Sequence, residues 1–336
     1  MIIAGDVYDK NIPPAEAVEL FDDFLTKLSL MKIPVYIISG NHDSTQRLSF
    51  GARIFKDNNI YISQVFNGCL EKITKHDEWG NVNIYLMPFI RPSDVKKFFE
   101  QEKIENYDDA IKTIINNTKI NTDERNIIVS HQFITGANTC ASDEISIGGL
   151  DNIDVSAFDK FDYCALGHIH GPQKIKRDTV RYCGTPLKYS FSEVDQKKSV
   201  TVIELKEKGN IDLDYIPLTP KRDLKEIKGS YNDLTDKNFY IDMNLNDYYH
   251  ITLTDENDIP YVIEKLRTIY PNVMKVDYDN KRTQDLFSFK SVDDSVEKTP
   301  AELFDEFYYQ QYQSQMTNEQ KIYLEKIIDE IWSEDY

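Results

Sequence analysis

The sequence has no run of roughly 18 apolar residues, which excludes a membrane-spanning helix. Asp6 and Asp9 interrupt the one apolar stretch near the start, so no signal peptide is expected. Cysteine is scarce: Cys69, Cys140, Cys164 and Cys183 are scattered without CxxC spacing, which argues against a zinc ribbon or a disulfide scaffold. They read as reduced thiols of a cytoplasmic protein. Basic residues are outnumbered, 39 Lys and Arg against 57 Asp and Glu, for a formal net charge of −18. Such a balance argues against a free-standing, non-specific DNA binder, because phosphate binding generally needs clustered Lys and Arg. Any nucleic-acid substrate would have to be drawn in by metal ions or by a basic partner. Internal repeats and low-complexity segments are also missing.

Within these limits there is ample material for a core, with 40% hydrophobic residues, 21 Tyr and 17 Phe. The first ten residues read as a short buried strand running into Gly5-Asp6, which presents Asp6 at the strand's C-terminal end, where open α/β sheets carry their chemistry. Pro13-Pro14 opens a helix with an apolar stripe at Val18, Phe21, Leu25 and Leu28. Ile33 to Ile38 is a continuous apolar strand ending in Gly40-Asn41-His42-Asp43, so the two strands and the helix form a βαβ unit. A helical stretch is expected over Arg47 to Lys56, and strands near Ile60 to Val65 and Val82 to Met87. Two polar helices are expected between Ser93 and Asn117. Asn126 to Val129 and Asp162 to Leu166 are short strands delivering Ser130-His131-Gln132 and Gly167-His168-Ile169-His170. A hairpin over Lys174 to Lys176 and Val180 to Cys183 precedes alternating strands at Ser199 to Leu205 and Ile211 to Ile216. Pro217 to about Gly229 reads as a boundary. Phe239 to Met243, a helix over Ile259 to Ile269 and a strand over Val273 to Val276 suggest a small α+β domain. Beyond a charged linker, Thr299-Pro300-Ala301-Glu302 and Thr317 to Gln320 are capping boxes for two helices. The first carries Leu303, Phe304, Phe307 and Tyr308. The second carries Ile322, Leu324, Ile327, Ile328, Ile331 and Trp332.

Only six histidines occur, and four sit in turns that follow apolar strands: His42, His131, His168 and His170. His76 and His250 lie in polar contexts and read as surface residues. Hydrolysis of a phosphodiester needs a nucleophilic hydroxide at neutral pH and neutralisation of the non-bridging oxygens, which two bridged metal ions provide. Asp6 suits the bridge, since each carboxylate oxygen can hold one ion. Imidazole and oxygen donors without thiolate point to Mn²⁺, Fe²⁺ or Zn²⁺. His168 and His170, two apart in an extended segment, would project to one side. Asn41 offers a carbonyl oxygen, and His42 a proton for the leaving oxygen, with Asp43 orienting its ring or raising its pKa. A Ser130–His131 nucleophile pair is disfavoured, because neighbours on a strand point to opposite faces.

Gly-Asp-x-x-Asp, Gly-Asn-His-Asp and Gly-His-x-His, in this order, resemble the calcineurin-like metallophosphoesterase superfamily. A closer resemblance, to the SbcD-type nuclease subunits, is carried by three stretches. These are Met87 to Pro92, Ile147-Gly148-Gly149 to Phe161-Asp162-Tyr163, and Arg181 to Phe191. The resemblance implies an α+β fold: a four-layer β-sandwich flanked by helices over residues 1–217, a small α+β capping domain over 218–280, a linker over 281–298 and a helical partner-docking tail over 299–336. It implies that Asp6 bridges two Mn²⁺ ions, that Asn41, His131 and His168 bind one and His170 the other, and that His42 is catalytic. It further implies 3′–5′ exonuclease and hairpin endonuclease action on DNA and a homodimer within a heterotetramer. The tail would dock on an SbcC-type coiled-coil ATPase through which ATP acts. Family members begin with a strand ending in Asp-x-His before the Gly-Asp turn. That segment is missing here, so the expectation is a truncated or mis-started frame with little nuclease activity as it stands. The alternatives are a non-catalytic scaffold binding SbcC and a phosphoesterase acting on a small nucleotide or a phosphoprotein.

Overall fold

The computed structural model describes residues 1–143, 151–281, 300–312 and 315–333. Short apolar runs, gathered into two sheets, set the architecture. β1 (Ile2–Ala4), β2 (Val35–Ile38) and β3 (Ile60–Ile62) form a parallel sheet in that order. A six-stranded mixed sheet contains β4 (Glu71–Asp77), β5 (Gly80–Met87), β6 (Arg125–His131), β7 (Tyr163–Gly167), β8 (Gln173–Ile175) and β9 (Arg177–Tyr182), in the order β4-β5-β6-β7-β9-β8. Its central pairs β5–β6, β6–β7 and β7–β9 are parallel, and its two edges are antiparallel hairpins.

Strand alternation explains why these runs are apolar throughout. Val35 and Ile37 face one core with Leu25 and Leu28 of helix α1 (Ala15–Leu30), while Tyr36 and Ile38 face a second core with Val82, Ile84, Leu86, Ile127, Val129 and Tyr163. The other face of the large sheet, with Tyr85, Met87, Ile128, Cys164 and Leu166, packs on Ala110, Ile111, Ile114 and Ile115 of a helix over Tyr107–Asn117. Period-two strands thus feed three apolar layers, giving helix, sheet, sheet, helix. The expected α+β sandwich of four layers is what the chain builds. The antiparallel hairpin β10 (Ser199–Leu205) and β11 (Ile211–Pro217) adds Ile203, Leu205, Ile211 and Leu213 to the central core.

Several local expectations are corrected. Arg47 to Lys56 is not one helix but two four-residue helices, Thr45–Leu48 and Ala52–Phe55, separated by Gly51 at φ 75°. The helix ending at Asn117 is not polar all round, since its buried residues form a stripe. Leu224–Gly229, read as a boundary, is a strand. It belongs to a three-stranded sheet with Tyr248–Leu253 and Val273–Tyr278. Residues Lys237–Tyr240 are helical. The final helices span Pro300–Tyr312 and Asn318–Ser333, and the second is capped reciprocally by Thr317 and Gln320. Ile147 to Gly149, most of the linker and Thr299 of the first capping box lie outside the described residues, as do the side chains of Leu303, Ile331 and Trp332.

By its internal contacts the chain divides into two compact units. One is Met1–Ile227 with Lys237–Ile251 and Tyr261–Val276; the other is Lys228–Asp236 with Thr252–Pro260 and Asp277–Tyr336. The site described next lies wholly in the first. No helix among the described residues is long and apolar enough to cross a membrane.

Candidate metal centre

The C-terminal ends of β1, β2, β6 and β7 deliver four donors to one place. His131, at the end of β6, sets its Nδ1 2.7 Å from the carbonyl oxygen of Ala4. A carbonyl can only accept, so Nδ1 carries a hydrogen and Nε2 is turned toward the cradle. That Nε2 lies 3.0 Å from Oδ2 of Asp6 and 3.0 Å from Oδ1 of Asn41. Nδ1 of His168 lies 3.1 Å from the same Asn41 oxygen. Among the described residues, Asp6, His131 and His168 are the one group of three His, Cys, Asp or Glu side chains whose ligand atoms all fall within 4.8 Å of one another.

Glycines let these turns approach so closely. A Cβ on Gly40 would fall 2.0 Å from Oδ1 of Asp6, and one on Gly167 would fall 1.7 Å from the carbonyl oxygen of Ala4 and 2.7 Å from Nδ1 of His131. No side chain fits at either point. Asp6 itself is held at φ 47°, a left-handed conformation that Asp tolerates better than most residues. Its Oδ1 accepts the backbone N–H of His42 at 3.0 Å. Burial works to raise the Asp6 carboxyl, but the hydrogen bond and charge of His131 and the N–H of His42 outweigh it, so the group sits below its ordinary value. Burial, assisted by neighbouring His131, depresses His168 to about 4 and keeps its ring neutral.

Four ligand-type atoms, Oδ2 of Asp6, Oδ1 of Asn41, Nε2 of His131 and Nδ1 of His168, face one another here, an arrangement suited to a bound cation. The donor set also fits one. Separations of 3.0 and 3.1 Å match neighbouring positions of an octahedron with bonds of about 2.1 Å, for which the edge is about 3.0 Å. Two imidazoles, a carboxylate and a carboxamide, without thiolate, suit a divalent ion of the borderline class.

The remaining predicted residues stand around this cradle. His42 turns Nδ1 toward the carbonyl oxygen of Asp9 at 3.1 Å, which fixes its ring. The Asp43 carboxylate accepts the backbone N–H groups of Val7, Tyr8 and Gly40 at 2.9–3.1 Å, tying the two ligand-bearing turns together. His168 and His170 do not lie in an extended segment. His168 sits in a bend at φ 101°, and the two rings face different partners. His170 is outside the cradle: its Nδ1 lies 3.0 Å from Oε1 of Glu193 and 3.2 Å from Oγ of Ser142. Oγ of Ser130 is buried with no hydrogen-bond partner, so no Ser–His pair forms. His250 is more engaged than a surface residue, with Nδ1 2.8 Å from Glu226 and its ring beside Phe191.

Sequence reasoning missed Glu193 and Lys198. Both are buried and joined at 2.6 Å. Burial would raise the Glu193 carboxyl, yet hydrogen bonds from Lys198, Ser142 and His170 bring it below its ordinary value. Nothing in Phe191-Ser192-Glu193 marks the position. The one available signal is that these charged residues closely follow the Arg181 to Phe191 stretch.

Residues 1–172 match the family model of calcineurin-like phosphoesterases. Residues 220–312 match the SbcD_C model, described as the type 5 capsule protein repressor C-terminal domain. Over 303 residues, 88% of this chain and 80% of the other protein, the chain is 33% identical to the SbcD component of the SbcCD nuclease from Staphylococcus epidermidis.

Proposed function

The chain belongs to the SbcD family of calcineurin-like phosphoesterases, and from that premise we propose that it is the nuclease subunit of an SbcCD-type DNA repair complex, hydrolysing phosphodiesters with two divalent ions, Mn²⁺ foremost. The observation that carries this reading is the convergence of Asp6, Asn41, His131 and His168 on one point. Asp6, Asn41, His131 and His168 would hold one ion, and His170, with Asp6 shared between the two, would serve the other. When bound, the ions supply Lewis-acid charge and activate water. His42, its ring fixed through Nδ1, delivers a proton from Nε2 to the leaving oxygen. Asp43 keeps the Asp6 and Asn41 turns in register through its three backbone contacts.

Residues 1–217 form the phosphoesterase domain, 218–280 the capping domain, 281–298 the linker and 299–336 the docking tail. The tail engages an SbcC-type coiled-coil ATPase, which brings ATP dependence and the DNA attraction that a net charge of −18 does not supply. The assembly is a homodimer within a heterotetramer, acts in the cytoplasm, and combines 3′–5′ double-strand exonuclease with single-strand and hairpin endonuclease action.

The test is cleavage of an end-labelled DNA hairpin with Mn²⁺, with and without an SbcC-type partner. Cleavage should depend on the metal, rise with the partner and ATP, and disappear in His131→Ala and Asp6→Asn. Cleavage that survives Asp6→Asn, or hydrolysis confined to small nucleotides, would overturn the assignment.

A further inference from the structure

Next to the cradle lies a second constellation that the proposed chemistry does not use. Oε1 of Glu193 accepts from Nδ1 of His170 at 3.0 Å and from Oγ of Ser142 at 2.7 Å, while Oε2 meets Nζ of Lys198 at 2.6 Å. Glu193 is fully buried and Lys198 nearly so. The Lys198 ammonium also reaches the backbone oxygen of His170 at 2.8 Å, Oγ1 of Thr185 at 2.7 Å and Oε1 of Gln196 at 2.7 Å. The backbone N–H of His170 is taken by Oδ1 of Asp143 at 2.8 Å. One histidine is therefore gripped at its backbone N–H, its carbonyl and its ring.

We infer that Glu193 is the positioning residue of His170. Its carboxylate, held in place by Lys198, fixes the ring with the hydrogen on Nδ1 and leaves Nε2 as the donor to a divalent cation. The inference rests on the assignment of His170 as a metal ligand made above. Metal-bound imidazoles commonly give their second N–H to a carboxylate, which sets the tautomer and raises the ring's basicity. Glu193 is not itself a ligand: one oxygen is committed to His170 and Ser142 and the other to an ammonium, which would repel an approaching cation. A buried ion pair is a poor source of stability and is often replaceable by apolar residues at no cost. Fold maintenance therefore does not account for a pair placed against this ring, whereas orientation of the ring does.

The experiment compares the full-length chain with His170→Ala, Glu193→Gln and the double variant Glu193→Gln with Lys198→Met. Free Mn²⁺ is counted by EPR during titration, and the His170 tautomer is read from ¹⁵N-imidazole shifts in the metal-free protein. Glu193→Gln alone leaves a buried ammonium unpaired and can unfold the chain. The double variant removes both charges and keeps the test alive. His170→Ala should abolish the weaker class of Mn²⁺ sites. Both Glu193 variants should weaken that class roughly 10- to 100-fold, leave the tighter class unchanged, and move His170 from a single Nδ1–H tautomer to a mixture. A double variant that folds, keeps wild-type affinity at the weaker class and retains the Nδ1–H tautomer overturns the inference, even where His170→Ala loses that class. If His170→Ala binds Mn²⁺ like the parent, the ligand assignment fails first and the inference falls with it.

Discussion

The cradle around Asp6 and the pocket around Glu193 are both built from a carboxylate facing histidine, yet they solve opposite problems. In the cradle Asp6, Asn41, His131 and His168 point acceptor atoms at each other, and among the described residues no Lys or Arg pairs with Asp6. Such a cluster is suited to a cation from outside. In the pocket Lys198 already neutralises Glu193, and the carboxylate is left to accept hydrogen bonds from His170 and Ser142. A carboxylate that carries its own cation orients; one that lacks it recruits. The two lie on one polypeptide stretch at His168 and His170, so a bend of two residues separates the recruiting role from the oriented one.

The comparison is broken most severely at Gly167. Its replacement by Ala forces a methyl group into the space held by the carbonyl oxygen of Ala4 and Nδ1 of His131. Backbone cannot yield as a flexible side chain does, so β1 and β7 must part and the His131–Ala4 hydrogen bond with them. Overpacking of this kind costs about 1–3 kcal/mol and sometimes more. Stabilisation by bound metal, about 2.7 kcal/mol at a hundredfold excess over Kd, should vanish as well. Urea unfolding of Gly167→Ala with and without Mn²⁺ measures both. A variant that still gains the full stabilisation would mean the cradle does not depend on this close approach.

A milder way to sharpen it is acid. His168 is depressed to about 4 by burial, whereas an unfolded histidine titrates near about 6.5. The folded state therefore binds fewer protons than the unfolded state between those values, and stability falls as pH drops through that window. The full span corresponds to about 3 kcal/mol. Metal-free protein should lose stability from about pH 6.5 to about pH 4, and His168→Asn should flatten that part of the profile. An unchanged slope in the variant would place the acid sensitivity elsewhere.

The same contrast explains what could be read from the chain. Each cradle ligand follows an apolar strand and, in three turns, a glycine or carboxamide, so the strand period, the turn and the donor type coincide at Asp6, Asn41, His131 and His168. Burial on both faces made β2, β5, β6 and β7 continuous apolar runs that are easy to find. Strands on half-wet surfaces carried no such mark. Glu71–Asp77 is an edge strand of alternating partial exposure, and three of the six residues of Leu224–Gly229 are charged. Tyr248–Leu253 does carry a signal, since Tyr249, Ile251 and Leu253 are buried in strict alternation, but one short run within a polar stretch is easily lost. Glu193 and Lys198 had none. They meet His170 through the turns after β9, at separations of 23 and 28 residues, and such convergence exists only in three dimensions.

The smallest perturbation probes the pocket alone. Cys140 is half-exposed, with Sγ 3.1 Å from Oγ of Ser142 and 3.2 Å from Oδ2 of Asp143, the two residues that contact His170. Among the described residues no cysteine touches the cradle in the same way. Cys164 is buried and its thiol is pushed up to about 12, so too little thiolate exists for it to react while the chain is folded. A disulfide reagent at mildly alkaline pH should therefore modify exposed Cys69 first and Cys140 more slowly, and reach Cys164 only on unfolding. In a Cys69→Ser background, a bulky adduct on Cys140 displaces Ser142 and Asp143 and should weaken only the weaker class of Mn²⁺ sites, leaving the cradle's affinity unchanged. If the adduct weakens both classes equally, the pocket and the cradle act as one unit, and the division of labour between the recruiting and the orienting carboxylate does not hold.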